Sequence, residues 1–258
     1  MTGAVAALAG VLLVAALGVL ARARRQIRHL RERLERNAQD LESLQHAFSR
    51  FAPDEVIERV ISEGVTSRGE KKDVTVLFAD LVGFTALTRR VEPDVLVRIL
   101  NGYFDRMSRA ISLHRGHVST FIGDGILALF GAHAPNPWQA NDAAHAALAM
   151  RVALSDYNAE LTAEGLPALA IGIGLQRGSG VAGLVGSSAL MEFAFVGPPV
   201  SEAARVQELT RLHPADIVAT RAATEGLDPR FVLHPLPAAN VKGIDESLEI
   251  YALDHFDA

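Results

Sequence analysis

Along most of this chain the apolar positions switch between a two-residue and a helical period. Asp73 to Ala79 is a run of β-branched and aromatic residues that reads as a buried strand, ending at Asp80. Leu81-Val82-Gly83-Phe84-Thr85 then starts a helix. Pro93 to Leu113 sets Val95, Leu96, Ile99, Leu100, Tyr103, Phe104 and Met107 at helical spacing. The stretch "VSTFIGDGILALFG" (118–131) predicts a hairpin, two apolar runs turning at Gly123-Asp124-Gly125. An Ala-rich helix follows from about Pro137 to Leu161, then a strand at Leu169 to Leu175. The Gly-rich "RGSGVAGLVG" (177–186) reads as a connection in which glycines let strands turn and approach closely, and Glu192 to Val196 as the next strand. Pro199 to Leu212 is helical, Asp216 to Thr220 a strand, and two further short strands come after it.

The order β-α-β-β-α-β with short connections predicts a ferredoxin-like α+β sandwich, here with a C-terminal extension. Ahead of it stand two segments of a different kind. Ala4 to Ala21 is an 18-residue run without a charge, near the shortest helix that spans a bilayer. Arg22, Arg24, Arg25, Arg28, Arg31, Arg33 and Arg36 follow, so the positive-inside rule keeps this end cytoplasmic. The competing reading, a cleaved signal peptide, wants positive charge before the apolar run rather than after it. Next, Ile27, Leu30, Leu34, Asn37, Leu41, Leu44 and Phe48 form an a/d seam with one polar position. That is a parallel dimeric coil or, alternatively, an amphipathic helix lying on its own domain. The expected layout is an anchor at 1–22, a coiled-coil helix at 23–50, a linker at 51–70 and the globular domain at 71–258. It places a single-pass protein in the inner or plasma membrane, with paired domains in the cytoplasm.

Composition narrows the chemistry. A hydrophobic content of 49% fits an apolar segment, and a net charge of −5 argues against a nucleic-acid partner. With no cysteine, thiolate metal sites and disulfides are excluded. What remains is the pair Asp80 and Asp124. One leaves a strand end and the other sits at a hairpin tip, so neighbouring strands would bring both to one sheet edge. Carboxylates that close repel unless a cation lies between them, and oxygen ligands with room for water suit Mg²⁺ or Mn²⁺. Gly83-Phe84-Thr85 opens a helix beside Asp80, offering N–H groups to an anion. Together they describe a metal–triphosphate site. The Gly-rich 177–186 stretch is not a P-loop, because no lysine follows it.

"VTVLFADLVGFTALT" and "FIGDGILALFG" resemble the two metal-binding signatures of class III nucleotidyl cyclases, the adenylate and guanylate cyclases. "FSRFAPDEVIERVI" resembles the segment that often precedes that catalytic domain. "FAFVGPPVSEAARVQEL" is similar to its strand-turn-helix and "NVKGIDESLEIYAL" to its C-terminal strands. The resemblance covers roughly residues 48–252. It implies a homodimer with active sites at the interface and two Mg²⁺ or Mn²⁺ ions per site. The ribose 3′-hydroxyl of a purine nucleoside triphosphate would attack the α-phosphate, releasing pyrophosphate. Asp80 and Asp124 would hold both ions, with Leu81 lending its carbonyl. Gly83, Phe84 and Thr85 would face the phosphates, and Lys242 is left to serve them as well.

At the base-reading positions the chain departs from the family. Thr120 stands where a lysine or glutamate usually reads the purine, and Ala194 where its polar partner usually lies. Ser201 replaces the ribose-orienting asparagine, while Arg205, the arginine four residues on, is kept. The resemblance thus implies intact metal and phosphate groups with weakened base reading. A catalytically weak or inactive pseudo-cyclase acting as a signal relay, or a heterodimer with another cyclase domain, is the alternative to an active homodimer. A diguanylate cyclase would need a GGDEF-like hairpin, which "GDGILA" is not.

Overall fold

A computed structural model of the chain describes residues 69–187, 191–240 and 247–257. The expected membrane span, the coil and all but the last two residues of the linker lie outside these residues, as does Lys242. Among the described residues no helix is long and apolar enough to cross a membrane.

Strand β1 (Glu70–Leu81) is an interior strand of the sheet. A four-residue helix α1 (Phe84–Leu87) and a long helix α2 (Pro93–Leu113) follow. The hairpin β2 (His117–Ile122) and β3 (Gly125–Phe130) leads to helix α3 (Gln139–Ala163). Then come β4 (Ile171–Gly186), β5 (Met191–Val196) and helix α4 (Pro198–Glu208), which ends in a 3-10 turn at Leu209–Arg211. Strand β6 (Ile217–Thr220), helix α5 (Arg221–Thr224), β7 (Phe231–Ala239) and β8 (Leu248–Phe256) complete the order. The strands run β2-β3-β1-β4-β6-β8-β7, with β5 paired to the far half of β4. The first four strands take the ferredoxin-like arrangement, and β6 to β8 extend it.

Alternation along the strands decides which helix goes where. In β1, Leu77, Ala79 and Leu81 join the core under α2 and α3, whereas Val74 and Val76 face the opposite layer. In β3, Ile126, Ala128 and Phe130 turn to the first core, and Leu127 and Leu129 to the second. Helix α2 seats Ile99, Tyr103, Met107 and Ile111 on the sheet, and α3 meets it through Ala143, Ala144, Ala146, Ala147 and Met150. The other face is covered by α4.

Two expectations need correction. The Gly-rich 177–186 stretch is no connection: it is the continuation of β4, paired with β1 on one side and β5 on the other. Its glycines do permit close approach, as expected, because α4 and β5 fill the space their side chains would take. A Cβ on Gly178 would stand 2.8 Å from Pro199 and one on Gly180 2.5 Å from Phe195; earlier in the same strand, one on Gly174 would stand 2.4 Å from the Ala203 carbonyl and the Gln207 backbone nitrogen. The helix expected from Leu81 starts only at Phe84, because Leu81 still pairs with Ile171 in the sheet. The turn between them is made at Gly83, whose φ of 74° is the left-handed conformation that favours glycine.

Candidate active site

Asp80 is the penultimate residue of β1, opposite Gly172 of β4, while Ala79 lies opposite Ile126 of β3. The hairpin closes at Ile122 and Gly125, so Gly123 and Asp124 form its two-residue turn. Gly123 has φ 63°, and nothing stands near where its Cβ would be. Backbone conformation, then, is what asks for glycine there. A Cβ on Gly125 would meet the Ala79 carbonyl at 3.4 Å and Phe78 at 3.3 Å, so the hairpin tip is pressed onto the end of β1.

This register brings the two carboxylates close enough that Asp124 acts on Asp80 through its charge and its hydrogen-bonding oxygens. Burial, then the charge and hydrogen bond of Asp124, push the Asp80 carboxyl up to about 6 from its ordinary 3.8. A carboxylate pair in that state needs a proton or a cation. The ligands are hard oxygens, and no group of three or more His, Cys, Asp or Glu residues is poised for a metal among the described residues. Two carboxylates beside a strand-end carbonyl fit Mg²⁺ or Mn²⁺, which fill their shells with water and phosphate oxygens, rather than a closed zinc site. At α1, the first N–H groups have no partner within the helix, as at any helix start. Beneath the pair lies Tyr103, fully buried, its hydroxyl without a hydrogen-bond partner. Burial chiefly, with the charges of Asp80 and Asp124 added, raises its pKa.

A residue that sequence reasoning missed completes this end of the sheet. Arg211, the last residue of the 3-10 turn after α4, donates from Nη2 to Asp80 Oδ2 at 2.8 Å. Its charge opposes the upward shift of the Asp80 pKa. No spacing in the sequence signals a contact across 131 positions. Only the glycine-faced packing of α4 on β4 brings the turn to Asp80.

The remaining expected site residues lie elsewhere. Thr120 is on the edge strand β2, four residues before Asp124, and its hydroxyl turns to the Phe121 carbonyl at 3.4 Å. Ala194 lies opposite Gly183 of β4, eleven positions from the Gly172 that faces Asp80. Along a strand that is about 35 Å. Ser201 and Arg205 share the exposed side of α4, opposite the face where Ala203, Val206 and Gln207 are buried. The Ser201 hydroxyl donates to the Pro198 carbonyl at 3.0 Å, and among the described residues Arg205 pairs with Glu208, at 3.6 Å. One chain therefore gathers Asp80, Asp124, Leu81 and the α1 start at one edge, and holds Ala194, Ser201 and Arg205 apart from them.

Residues 66–255 match the family model of the adenylate and guanylate cyclase catalytic domain. The chain belongs to the adenylate and guanylate cyclase family. It is 32% identical to an adenylate cyclase of Anabaena cylindrica over 80% of this chain and 42% of that protein. To adenylate cyclase 1 of Rhizobium meliloti (strain 1021) it is 27% identical, over 79% of this chain and 31% of that one. The chain thus spans less than half the length of these curated relatives. Among solved structures, the guanylyl cyclase Cya2 superposes with a TM-score of 0.69 at 30% identity, covering 73% of this chain and 95% of that one. A bacterial light-regulated adenylyl cyclase gives 0.73 at 26% identity, over 86% and 64% of the two chains. In this cyclase domain the carboxylate pair and the Ser201–Arg205 face are thus separate surfaces of one protomer.

Proposed function

We propose that this cyclase domain converts ATP or GTP to a 3′,5′-cyclic nucleotide and pyrophosphate at sites shared by two copies of the chain. The observation that carries this reading is the contact between Asp80 and Asp124 at an edge that lacks the other groups the reaction needs. A second copy, docked head to tail, supplies them. Exposed apolar side chains favour such a partner: Phe121 and Ile122 at the hairpin tip, and Val181, Val185 and Val196 on the β4–β5 arm.

Asp80, Asp124 and the Leu81 carbonyl would hold Mg²⁺ or Mn²⁺. The bound ions would supply Lewis-acid stabilisation of the 3′-oxygen and the phosphates. Backbone N–H groups at Gly83, Phe84 and Thr85 face the triphosphate, with Lys242 assigned to the same task. From the partner, Arg205 meets the charge that grows on the α-phosphate as the 3′-oxygen attacks and pyrophosphate departs. Ser201 orients the ribose with a shorter reach than an amide side chain. Thr120 and Ala194 offer the purine little to read, so discrimination between adenine and guanine is weak. Relatives named adenylyl and guanylyl cyclase resemble the chain to a similar degree, and family membership leaves the purine open.

The test is direct. The full chain, incubated with ATP or GTP and Mn²⁺, yields cyclic product by mass spectrometry, and Asp80→Asn or Asp124→Asn each lowers the rate by at least about 10²–10³-fold. No product from either triphosphate at high protein concentration overturns the homodimeric enzyme. It would support the second reading, a nucleotide-binding relay or heterodimer subunit, which the side chains at Thr120, Ala194 and Ser201 favour. We also propose that residues 1–22 anchor the domain to the membrane from its cytoplasmic side. Release of the full chain into the soluble fraction by high salt alone would refute that.

A further inference from the structure

Arg211 has no place in the mechanism above, yet it is the cation seated on the metal-binding pair. Its position is built in. Leu209 is buried, and a Cβ on Gly172 would stand 2.2 Å from Thr210 Oγ1 and 2.7 Å from Gln207 Nε2. Gly172 is the residue opposite Asp80, so the end of α4 is pressed onto the strand at the level of that carboxylate. Residue 211 has little freedom to sit elsewhere.

The way Arg211 uses its fork is telling. Arg151 shows what a structural arginine looks like here: it donates to both oxygens of Asp216 and to the carbonyls of Leu253 and Asp254. Arg211 makes one hydrogen bond, through Nη2, and half of its side chain is exposed. No other hydrogen bond to a described residue engages its guanidinium, and a planar fork with donors to spare suits a second anion. A single half-exposed ion pair contributes little to stability, so the fold does not need it.

We propose that Arg211 is a phosphate-binding residue held in reserve by Asp80, and that it passes to the β- or γ-phosphate of the nucleotide bound to its own chain when a divalent cation takes the carboxylate pair. The proposal rests on the cyclase reading for the identity of the nucleotide. It makes two demands that pull in opposite directions. Without phosphate, Arg211 competes with the cation for Asp80. With phosphate, it adds a charge-assisted hydrogen bond.

Mn²⁺ binding to the full chain, followed by electron paramagnetic resonance, and pyrophosphate binding at saturating Mn²⁺, followed by calorimetry, separate these demands. Arg211→Gln is expected to bind Mn²⁺ alone about two- to fivefold more tightly. The same variant should bind pyrophosphate about ten- to a hundredfold more weakly. Arg211→Lys, keeping the charge and losing the fork, should fall between it and the wild type. A folded Arg211→Gln with wild-type pyrophosphate affinity overturns the proposal, and a lowered melting temperature with no change in either affinity does so too. If Arg211→Gln does not fold, unchanged pyrophosphate affinity in Arg211→Lys overturns it. Cyclic product is measured alongside on the wild type. Product with Arg211-independent affinity sinks the proposal and keeps the cyclase reading; Arg211-dependent affinity without product from any purine triphosphate does the reverse.

Discussion

Asp80 is held near a second carboxylate on one side and a guanidinium on the other, and the balance sets how the metal-free domain responds to pH. Its folded pKa of about 6 lies above the ordinary 3.8, with burial the first cause and Asp124 the second. Between about pH 4 and 6 the folded chain holds a proton that the unfolded chain has lost. Stability from this group is therefore fullest below pH 4, falls as pH rises to 6, and stays low above it. Asp124→Asn removes the repelling charge and is expected to stabilise the metal-free domain at pH 7.5 by on the order of 1 kcal/mol while abolishing activity. Melting curves against pH check both the slope and its reduction in the variant, where burial alone is left to raise the Asp80 carboxyl; a wild-type curve flat from 4 to 6 would contradict the account. Saturating Mn²⁺ should flatten it as well. Tyr103 offers a second case of fold yielding to site. Its hydroxyl is buried without a partner, so Tyr103→Phe should be neutral or stabilising by up to about 1 kcal/mol in urea titration. The carboxylates were legible from sequence because two separate motifs each interrupted an apolar run with Asp. Arg211 was not, because its meaning lies in a contact between segments that share no pattern.

At the scale of elements, most of the sheet could be read from period alone, and the expected helix at Pro93 to Leu113 has those bounds in the structure. The failure at 177–186 is instructive. Gly178 and Gly180 have no side chains to show alternation, so the run looks like a loop, yet the missing atoms are supplied by Pro199 of α4 and by Phe195 of β5. Glycine here serves packing, whereas Gly123 serves conformation, and substitution separates the two. Gly174→Ala forces a Cβ against the backbone of α4 and is expected to cost about 1–3 kcal/mol or more, since backbone cannot swing aside as a side chain can. Gly123→Ala meets no atom but must hold a left-handed φ, a cost of about 1–2 kcal/mol. That second change also shifts Asp124, so its loss of cyclase activity should far exceed its loss of stability. Chemical denaturation beside turnover would show the contrast. Activity falling only in proportion to the folded fraction in Gly123→Ala would mean that the turn does not position the carboxylate.

For the whole molecule, the separation of the expected site residues is the informative result. Sequence motifs named both groups but could not show that one chain keeps them apart, since spacing along the chain says nothing about faces. Helix α4 buries Ala203, Val206 and Gln207, which obliges Ser201 and Arg205 to look outward, away from the strand end that holds Asp80. If the proposed head-to-tail pair is the active form, defects in the two groups belong to different halves of each site. Asp80→Asn and Arg205→Ala should then each be inactive alone, yet complement when mixed. A mixed dimer has one site with both defects and one with neither, so random pairing of equal amounts gives about a quarter of wild-type turnover. The recovered activity should rise with total protein concentration as subunits associate. A double variant, Asp80→Asn with Arg205→Ala in one chain, mixed with wild type must give no such gain over the wild type's own dimers. Complementation at the expected level requires Asp80 of one copy to work with Arg205 of the other. Its absence, in mixtures shown to exchange subunits, would place both groups in one protomer's site and refute the shared-site arrangement.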